Sequence, residues 1–225
     1  MIVAAVPIKD LSVAKQRLAS VLTLAERDQL ARAMLRDVLR ALGAAGFDHV
    51  WVVTREPAVV EIARALNAEP LAEAENRGHS AAVALAQAEA MRRGARLFLT
   101  VPGDVPRVTA DELRELAGAA GDGAPAFVPS RSRLGTNGVA LAPPDAMPLT
   151  FGEPSFARHL ETARTRNLSP RVLELPGLGL DIDTPEDLTA LVAETAPTET
   201  GRLVAGWLAT TGRFGLKPLS QSAHR

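Results

Sequence analysis

Arg96-Leu97-Phe98-Leu99-Thr100-Val101-Pro102-Gly103-Asp104-Val105-Pro106-Arg107-Val108-Thr109-Ala110-Asp111-Glu112 holds a strand, a tight loop and a helix start in sequence. The apolar run to Val101 reads as a buried strand. Pro102, Gly103 and Pro106 tighten the loop that follows. Thr109 and Glu112 form a capping box, so a helix begins there. Asp104 therefore sits at the carboxyl end of a strand, where open α/β sheets bind ligands. A turn role alone would also suit an aspartate after Pro-Gly.

The same alternation extends towards the amino end. Ile2 to Val6 predicts a first buried strand ended by Pro7, with Lys9, Lys15 and Arg17 in the loop beyond it. Three cations at that place suit a polyphosphate, or simply form a solvated basic loop. Thr23 and Glu26 make another capping box, opening a helix to about Leu42. Its apolar stripe is Ala31, Met34, Leu35, Val38 and Leu42, its wet stripe Asp28, Arg32, Arg36 and Arg40, and Gly43 and Gly46 end it. The arginine stripe is expected only to face solvent. A strand at His49 to Thr54, a helix from Pro57 to Leu66 and a weak strand at Ala68 to Leu71 follow. Glu73 to Ser80 then leads into a helix from Ala81 to Met91. Gly78 and Ser80 at that entry offer a backbone N–H and a hydroxyl to a ligand, or serve only as a cap.

Towards the carboxyl end, Ala126 to Pro129 and Val139 to Ala142 predict two strands joined by a basic loop, Ser130 to Gly138, carrying Arg131 and Arg133. Ser155 is expected to cap a helix from Phe156 to Arg166, and Arg171 to Leu175 to be the last strand. A helix from Pro185 to Glu194 closes the domain. Thr195 to Thr200 reads as a linker, and Gly201 to Thr211 as a short helix carrying Trp207. Phe214 to Arg225 reads as a tail, either disordered or packed on a neighbouring subunit of a homodimer. The prediction is a three-layer α/β sandwich with a mostly parallel sheet and one antiparallel insertion, residues 1–194, followed by a linker and tail, 195–225.

Leu180-Asp181-Ile182-Asp183-Thr184-Pro185-Glu186-Asp187-Leu188 bears most directly on chemistry. In an extended segment Asp181 and Asp183 point to one side and Ile182 to the other. Two carboxylates on one face repel unless a cation lies between them, and oxygen ligands suit Mg²⁺. Helix capping by Asp183 or Thr184 explains Thr184 to Asp187 but gives no reason for Asp181.

The 225 residues suffice for one large α/β domain or two small ones. A formal net charge of −1 argues against non-specific nucleic-acid binding. The absence of cysteine excludes disulfides, thiolate nucleophiles and thiolate metal sites. The short apolar start lacks the form of a signal peptide, and no apolar run is long enough to span a bilayer, so a cytoplasmic protein is expected.

Five blocks together resemble the nucleotidyltransferase family that makes the guanylylated precursor of coenzyme F-420, comprising 2-phospho-L-lactate and phosphoenolpyruvate guanylyltransferases. They are Pro7-Ile8-Lys9 with Ala14 to Leu18, Pro102 to Pro106, Gly135-Thr136-Asn137, Phe151 to Phe156, and Leu180 to Leu188. The resemblance implies a fold like the nucleotide-diphospho-sugar transferases, with GTP and a small phosphorylated acid as substrates. It implies Mg²⁺ on Asp104, Asp181 and Asp183, and an acceptor site at Thr136, Gly152 and Ser155. Lys9, Lys15 and Arg17 are then expected to neutralise the triphosphate. Arg131 or Arg133 would pair with the acceptor, and Gly78, Ser80, Pro102 and Gly103 would contact the nucleotide. Many relatives carry Gly-Leu-Asn where this chain has Gly78-His79-Ser80, which leaves base selectivity open. The acceptor is also open among phosphoenolpyruvate, 2-phospho-L-lactate and 3-phosphoglycerate. A glycosyltransferase of the same fold and a non-catalytic nucleotide-binding protein are the alternatives.

Overall fold

A computed structural model describes residues 1–9, 11, 15–73, 75, 77–121, 123–193 and 198–211. Asp10, Ser12, Val13 and Ala14 of the first loop, residues 195–197 of the expected linker and the tail from Phe214 lie outside the described residues. Among the described residues seven strands form one sheet in the order β3-β2-β1-β4-β6-β5-β7. They are β1 (Ile2–Pro7), β2 (His49–Thr54), β3 (Glu69–Ala72), β4 (Leu97–Thr100), β5 (Ala126–Pro129), β6 (Thr136–Leu141) and β7 (Arg171–Val172). Only β6 runs against its neighbours β4 and β5; the other pairs are parallel. This is the expected antiparallel insertion, although β6 begins three residues earlier than its apolar run, at Thr136.

Strand alternation divides the core into two layers. Ala4 and Val6 of β1, with Leu97 and Leu99 of β4, meet α1 (Leu24–Ala45), α2 (Pro57–Ala65), α4 (Ala110–Ala119) and α6 (Pro185–Ala193). Val3, Ala5 and Phe98 face the other way, towards α3 (His79–Arg92) and α5 (Ser155–Thr165). Both predicted capping boxes, Thr23 with Glu26 and Thr109 with Glu112, are formed. Gly43 lies inside α1, and the helix ends at Gly46, whose φ of 74° is left-handed. The last strand is only two residues, Arg171–Val172, shorter than the expected Arg171 to Leu175, although the Leu173 amide still donates to the Phe127 carbonyl of β5 at 2.9 Å.

Two expectations about the wet face of α1 are corrected. Arg36 and Arg40 are not merely solvated: both donate to Glu199, at 2.9 and 2.8 Å. Glu199 and Thr200, expected in a linker, begin α7 (Glu199–Thr211), which packs on α1 through buried Val204 with Trp207 and Leu208 beside it. The reason lies at Asp37, a buried carboxylate on α1. It accepts hydrogen bonds from the Glu199 and Thr200 amides, at 2.9 and 2.8 Å, and from the Thr200 hydroxyl, at 2.7 Å. Asp37 thus caps α7 from another helix, a long-range cap that no local pattern announces.

Asp37→Ala leaves two amides and a fully buried hydroxyl without their acceptor. It should lower unfolding free energy by about 1–3 kcal/mol in urea titration. Amide exchange over 199–211 should accelerate more than over α3, as read by mass spectrometry.

Candidate active site

The strand order reverses about β1 and β4: β1 connects outward to β2 and β3, whereas β4 leads towards β6, β5 and β7. The loops beyond the carboxyl ends of these two strands therefore face each other across a crevice. Gly103 fits there because a Cβ would run into Ile8 Cδ1, with Leu35 close behind. The Asp181–Asp183 segment crosses the same rim. Its central Ile182 is fully buried and donates its N–H to the Asp104 carbonyl at 3.0 Å. That bond ties the aspartate stretch to the β4 loop, and alternation leaves the two carboxyl groups on the crevice side.

Capping is settled by Thr184 and Asp187. Asp187 accepts from the Asp183 and Thr184 amides, at 3.1 and 2.8 Å, and from the Thr184 hydroxyl. The Asp183 side chain is not used by the helix. Instead its Oδ1 accepts from Lys15 Nζ at 2.7 Å, and Asp104 Oδ2 accepts from the same nitrogen at 2.6 Å. Lys15, at the left-handed φ of 60°, is turned inward by its backbone, and its side chain is 7% exposed. Burial alone would lower its pKa, but the charges and hydrogen bonds of Asp104 and Asp183 outweigh that and raise it. The ammonium expected to meet a triphosphate thus sits between two carboxylates. Arg17 is 66% exposed and stands 3.9 Å from Asp183.

Asp104 Oδ1 is buried and has no hydrogen-bond partner. Asp181 has its pKa raised by burial, opposed by a hydrogen bond from Asn137, and raised further by the negative charges of Asp104 and Asp183. Asp104 and Asp183, bridged by Lys15, thus act electrostatically on Asp181. Among the described residues no three acidic or imidazole side chains form a ready-made metal cage, since Lys15 fills the ground between Asp104 and Asp183.

A second polar cluster adjoins the first. Pairing between β5 and β6 shifts after Val128 and Gly138, so Asn137 is an extra residue and the side chains near it are re-aimed. Asn137 Nδ2 donates to Asp181 Oδ1 at 3.0 Å. Its neighbour Thr136 lies 3.0 Å from His159 Nδ1 and accepts from the Ser155 hydroxyl at 3.2 Å. Ser155 is not the cap of α5: Pro154 holds that position, and Ser155, 2% exposed, is the first helical residue. Gly152 has a φ of 95°, which favours glycine, and its carbonyl accepts from Arg158.

Lys9, Gly78 and Ser80 gather nearby. A Cβ on Gly78 would lie 3.8 Å from Lys9 Nζ, and Ser80 Oγ accepts from the Phe151 amide at 2.9 Å. Helix α3 starts at His79, two residues earlier than the apolar run suggests, so Gly78 is its N-cap. His79 packs edge-on against Phe151 at 4.6 Å; burial holds it neutral, with a pKa lowered to about 4.

Arg131 and Arg133 are not gathered with Thr136 and Ser155. Arg131 donates to Asp187 at 2.6 Å, and Arg133 pairs with Glu174 while lying 5.3 Å over the Phe156 ring. Both line a separate cavity of about 370 Å³ that includes Arg107 and Glu174 and none of the three aspartates. Local sequence reading missed Asn137, which looked like loop, and His159. The available signal for His159 was its i,i+4 spacing from Ser155, which puts both on one face of α5.

Comparison with known proteins agrees with this architecture. A family model described as "Guanylyl transferase CofC like" matches residues 2–204. The chain is 41% identical over 191 residues to a phosphoenolpyruvate guanylyltransferase of Rubrobacter xylanophilus, covering 84% of this chain and 93% of that protein. It is 34% identical over 189 residues to a 2-phospho-L-lactate guanylyltransferase of Methanothermobacter thermautotrophicus, covering 84% and 83%. Among solved structures, one from Desulfovibrio desulfuricans, of nucleotide-diphospho-sugar transferase type, has a TM-score of 0.74 at 17% identity, covering 92% and 94%. That last likeness concerns the fold alone. Among the described residues no helix is long and apolar enough to cross a membrane.

Burial first, and the Arg158 charge second, lower the His159 pKa to about 4, below the ordinary 6.5. The unfolded chain therefore binds an extra proton between those values, so stability falls as pH drops from about 6.5 to about 4. The loss attributable to His159 should reach roughly 3 kcal/mol. Urea midpoints measured across that range should slope less in His159→Asn than in the unaltered protein.

Proposed function

We propose that this chain, which belongs to the guanylyl transferase CofC-like family and is a nucleotidyltransferase, condenses GTP with a small phosphorylated carboxylic acid, phosphoenolpyruvate or 2-phospho-L-lactate. A phosphate oxygen of the acid attacks the α-phosphorus of GTP. The bond from that phosphorus to the bridging oxygen breaks, and pyrophosphate leaves with its electron pair. No proton has to move, because the attacking group is already an anion. On this reading the protein is cytoplasmic and serves coenzyme F-420 biosynthesis.

The observation that carries the reading is the dipeptide Thr136-Asn137. Asn137 holds Asp181, one of the three clustered carboxylates, while Thr136 anchors the hydroxyl cluster with Ser155. A carboxylate group and a neutral hydroxyl cluster are thus locked side by side, which suits the meeting of two phosphorylated substrates. Since both reactants are anionic, the barrier is mainly repulsion and positioning, and preorganised charges and donors answer both. Lys15 offsets the charge of Asp104 and Asp183 and fixes their orientation. Lys9 and Arg17, both exposed, would neutralise the triphosphate and the departing pyrophosphate. Thr136, Ser155 and the Gly152 turn receive the acceptor acid. Gly78, Ser80, Pro102 and Gly103 border the nucleotide side.

Asp104, Asp181 and Asp183 would hold Mg²⁺. Lys15 holds the ground between Asp104 and Asp183, and the oxygens beside it suit such an ion: Asp104 has a buried oxygen without a partner, and Asp181 is burdened by its two acidic neighbours. When bound, the ion supplies Lewis-acid stabilisation of phosphoryl oxygens.

The test incubates the protein with Mg²⁺, each of the four nucleoside triphosphates and each acid, 3-phosphoglycerate included, reading adducts by mass spectrometry and pyrophosphate by coupled assay. A guanylylated acid with stoichiometric pyrophosphate is expected. No pyrophosphate with any pair would overturn the proposal. Asp181→Ala and Asp104→Asn should fold normally and turn over roughly 10²-fold more slowly or worse. A near-normal rate in either variant would remove that residue from the metal assignment.

A further inference from the structure

The hydroxyl cluster contains one group that the proposed reaction leaves without a task. His159, on α5, is 1% exposed; its ring is stacked on Phe127 at 5.7 Å and met edge-on by Phe151 at 5.1 Å. Its Nε2 accepts a hydrogen bond from the Thr150 amide at 3.0 Å. A backbone N–H can only donate, so Nε2 carries no proton and the neutral ring has its hydrogen on Nδ1. Nδ1 in turn lies 3.0 Å from Thr136 Oγ1. That hydroxyl oxygen therefore accepts from His159, and it also accepts from Ser155. Both lone pairs are then filled, and the single Thr136 hydroxyl hydrogen must point to something else.

We infer that His159 is a positioning residue: it fixes the Thr136 hydroxyl as an outward donor for an anionic oxygen of the acceptor acid. The inference rests on the acceptor reading of Thr136 and Ser155 given above. It adds a direction that the composition of the cluster lacks. A free threonine hydroxyl either donates or accepts, and would serve a hydroxyl-bearing ligand as well as an anion. With the Thr150 amide setting the ring and the ring setting the hydroxyl, Thr136 has donor character only towards the ligand. The chain of bonds runs from backbone through buried imidazole to Thr136, so the polarity is fixed before the acid arrives.

Two substitutions separate the nitrogen atoms. Asparagine places an amide near the Nδ1 position and keeps the bond to Thr136, whereas glutamine reaches the Nε2 position and loses it. His159→Gln and His159→Phe should therefore raise KM for phosphoenolpyruvate or 2-phospho-L-lactate about ten- to hundredfold, the scale of one lost hydrogen bond to a charged group. KM for GTP should change less than threefold, and His159→Asn should restore most of the loss. Thr136→Val, which removes the donor and spares the ring, should show the same acid-selective defect. Adding His159→Phe to it should cost nothing further. Losses that multiply in the double variant, or that fall equally on GTP and acid, would overturn the inference. Should His159→Phe not fold, His159→Gln and Thr136→Val carry the comparison. Failure of the unaltered protein to turn over any acid with GTP defeats the acceptor reading itself. Normal turnover with an indifferent His159→Gln defeats only the inference.

Discussion

The contact of one ammonium with two carboxylates, Lys15 with Asp104 and Asp183, organises the rim of the sheet. Three acidic groups converge there from two distant parts of the chain, and like charges about 4 Å apart repel by about 4 kcal/mol even at an effective dielectric constant near 20. Folding tolerates that concentration because Lys15 is carried in by the loop after β1. Asp181 is restrained separately by Asn137. The net stability of such a domain is only about 5–15 kcal/mol, so an acidic cluster without these partners would consume much of it. Functional groups of this kind persist where surrounding structure over-determines them. Here the Ile182 amide, bonded to the Asp104 carbonyl, locks the two acidic segments together through their backbones.

Much of the architecture was legible because it is written in local periods. The capping boxes at Thr23 and Thr109, the alternation through Asp181-Ile182-Asp183 and the β5–β6 insertion depend on neighbours in sequence, and all are found as expected. The misplaced features share a different cause. Asp37 caps a helix more than 160 residues away, so its burial has no local sign. Thr136-Asn137-Gly138 reads as a loop because a polar pair and a glycine lack strand propensity, yet the ladder with β5 and its register shift hold them. The ion pairs of Arg131 and Arg133 are equally without a local sign. Their carboxylate partners, Asp187 and Glu174, come from segments whose approach depends on the tertiary fold.

The same contrast applies within the candidate site. Residue types disclosed the aspartates, since paired carboxylates at that spacing have few structural uses. They did not disclose the orientation of Lys15, which follows from one left-handed backbone angle. Nor did they disclose His159, whose significance depends on an amide from the Thr150 segment meeting its far nitrogen. Chemistry that depends on which atom carries a hydrogen becomes readable only when every partner of that atom is known.

The reversed course of β6 has an energetic consequence. In a wholly parallel sheet this rim would be furnished only by loops, whereas an inverted strand starts there and carries Thr136 in its ladder and Asn137 at its register shift. Ser155 and His159 likewise stand on a regular helix. That side of the crevice is therefore stiff, its backbone already hydrogen-bonded within strand and helix. It meets its ligand with little rearrangement, so little ordering entropy is lost there on capture.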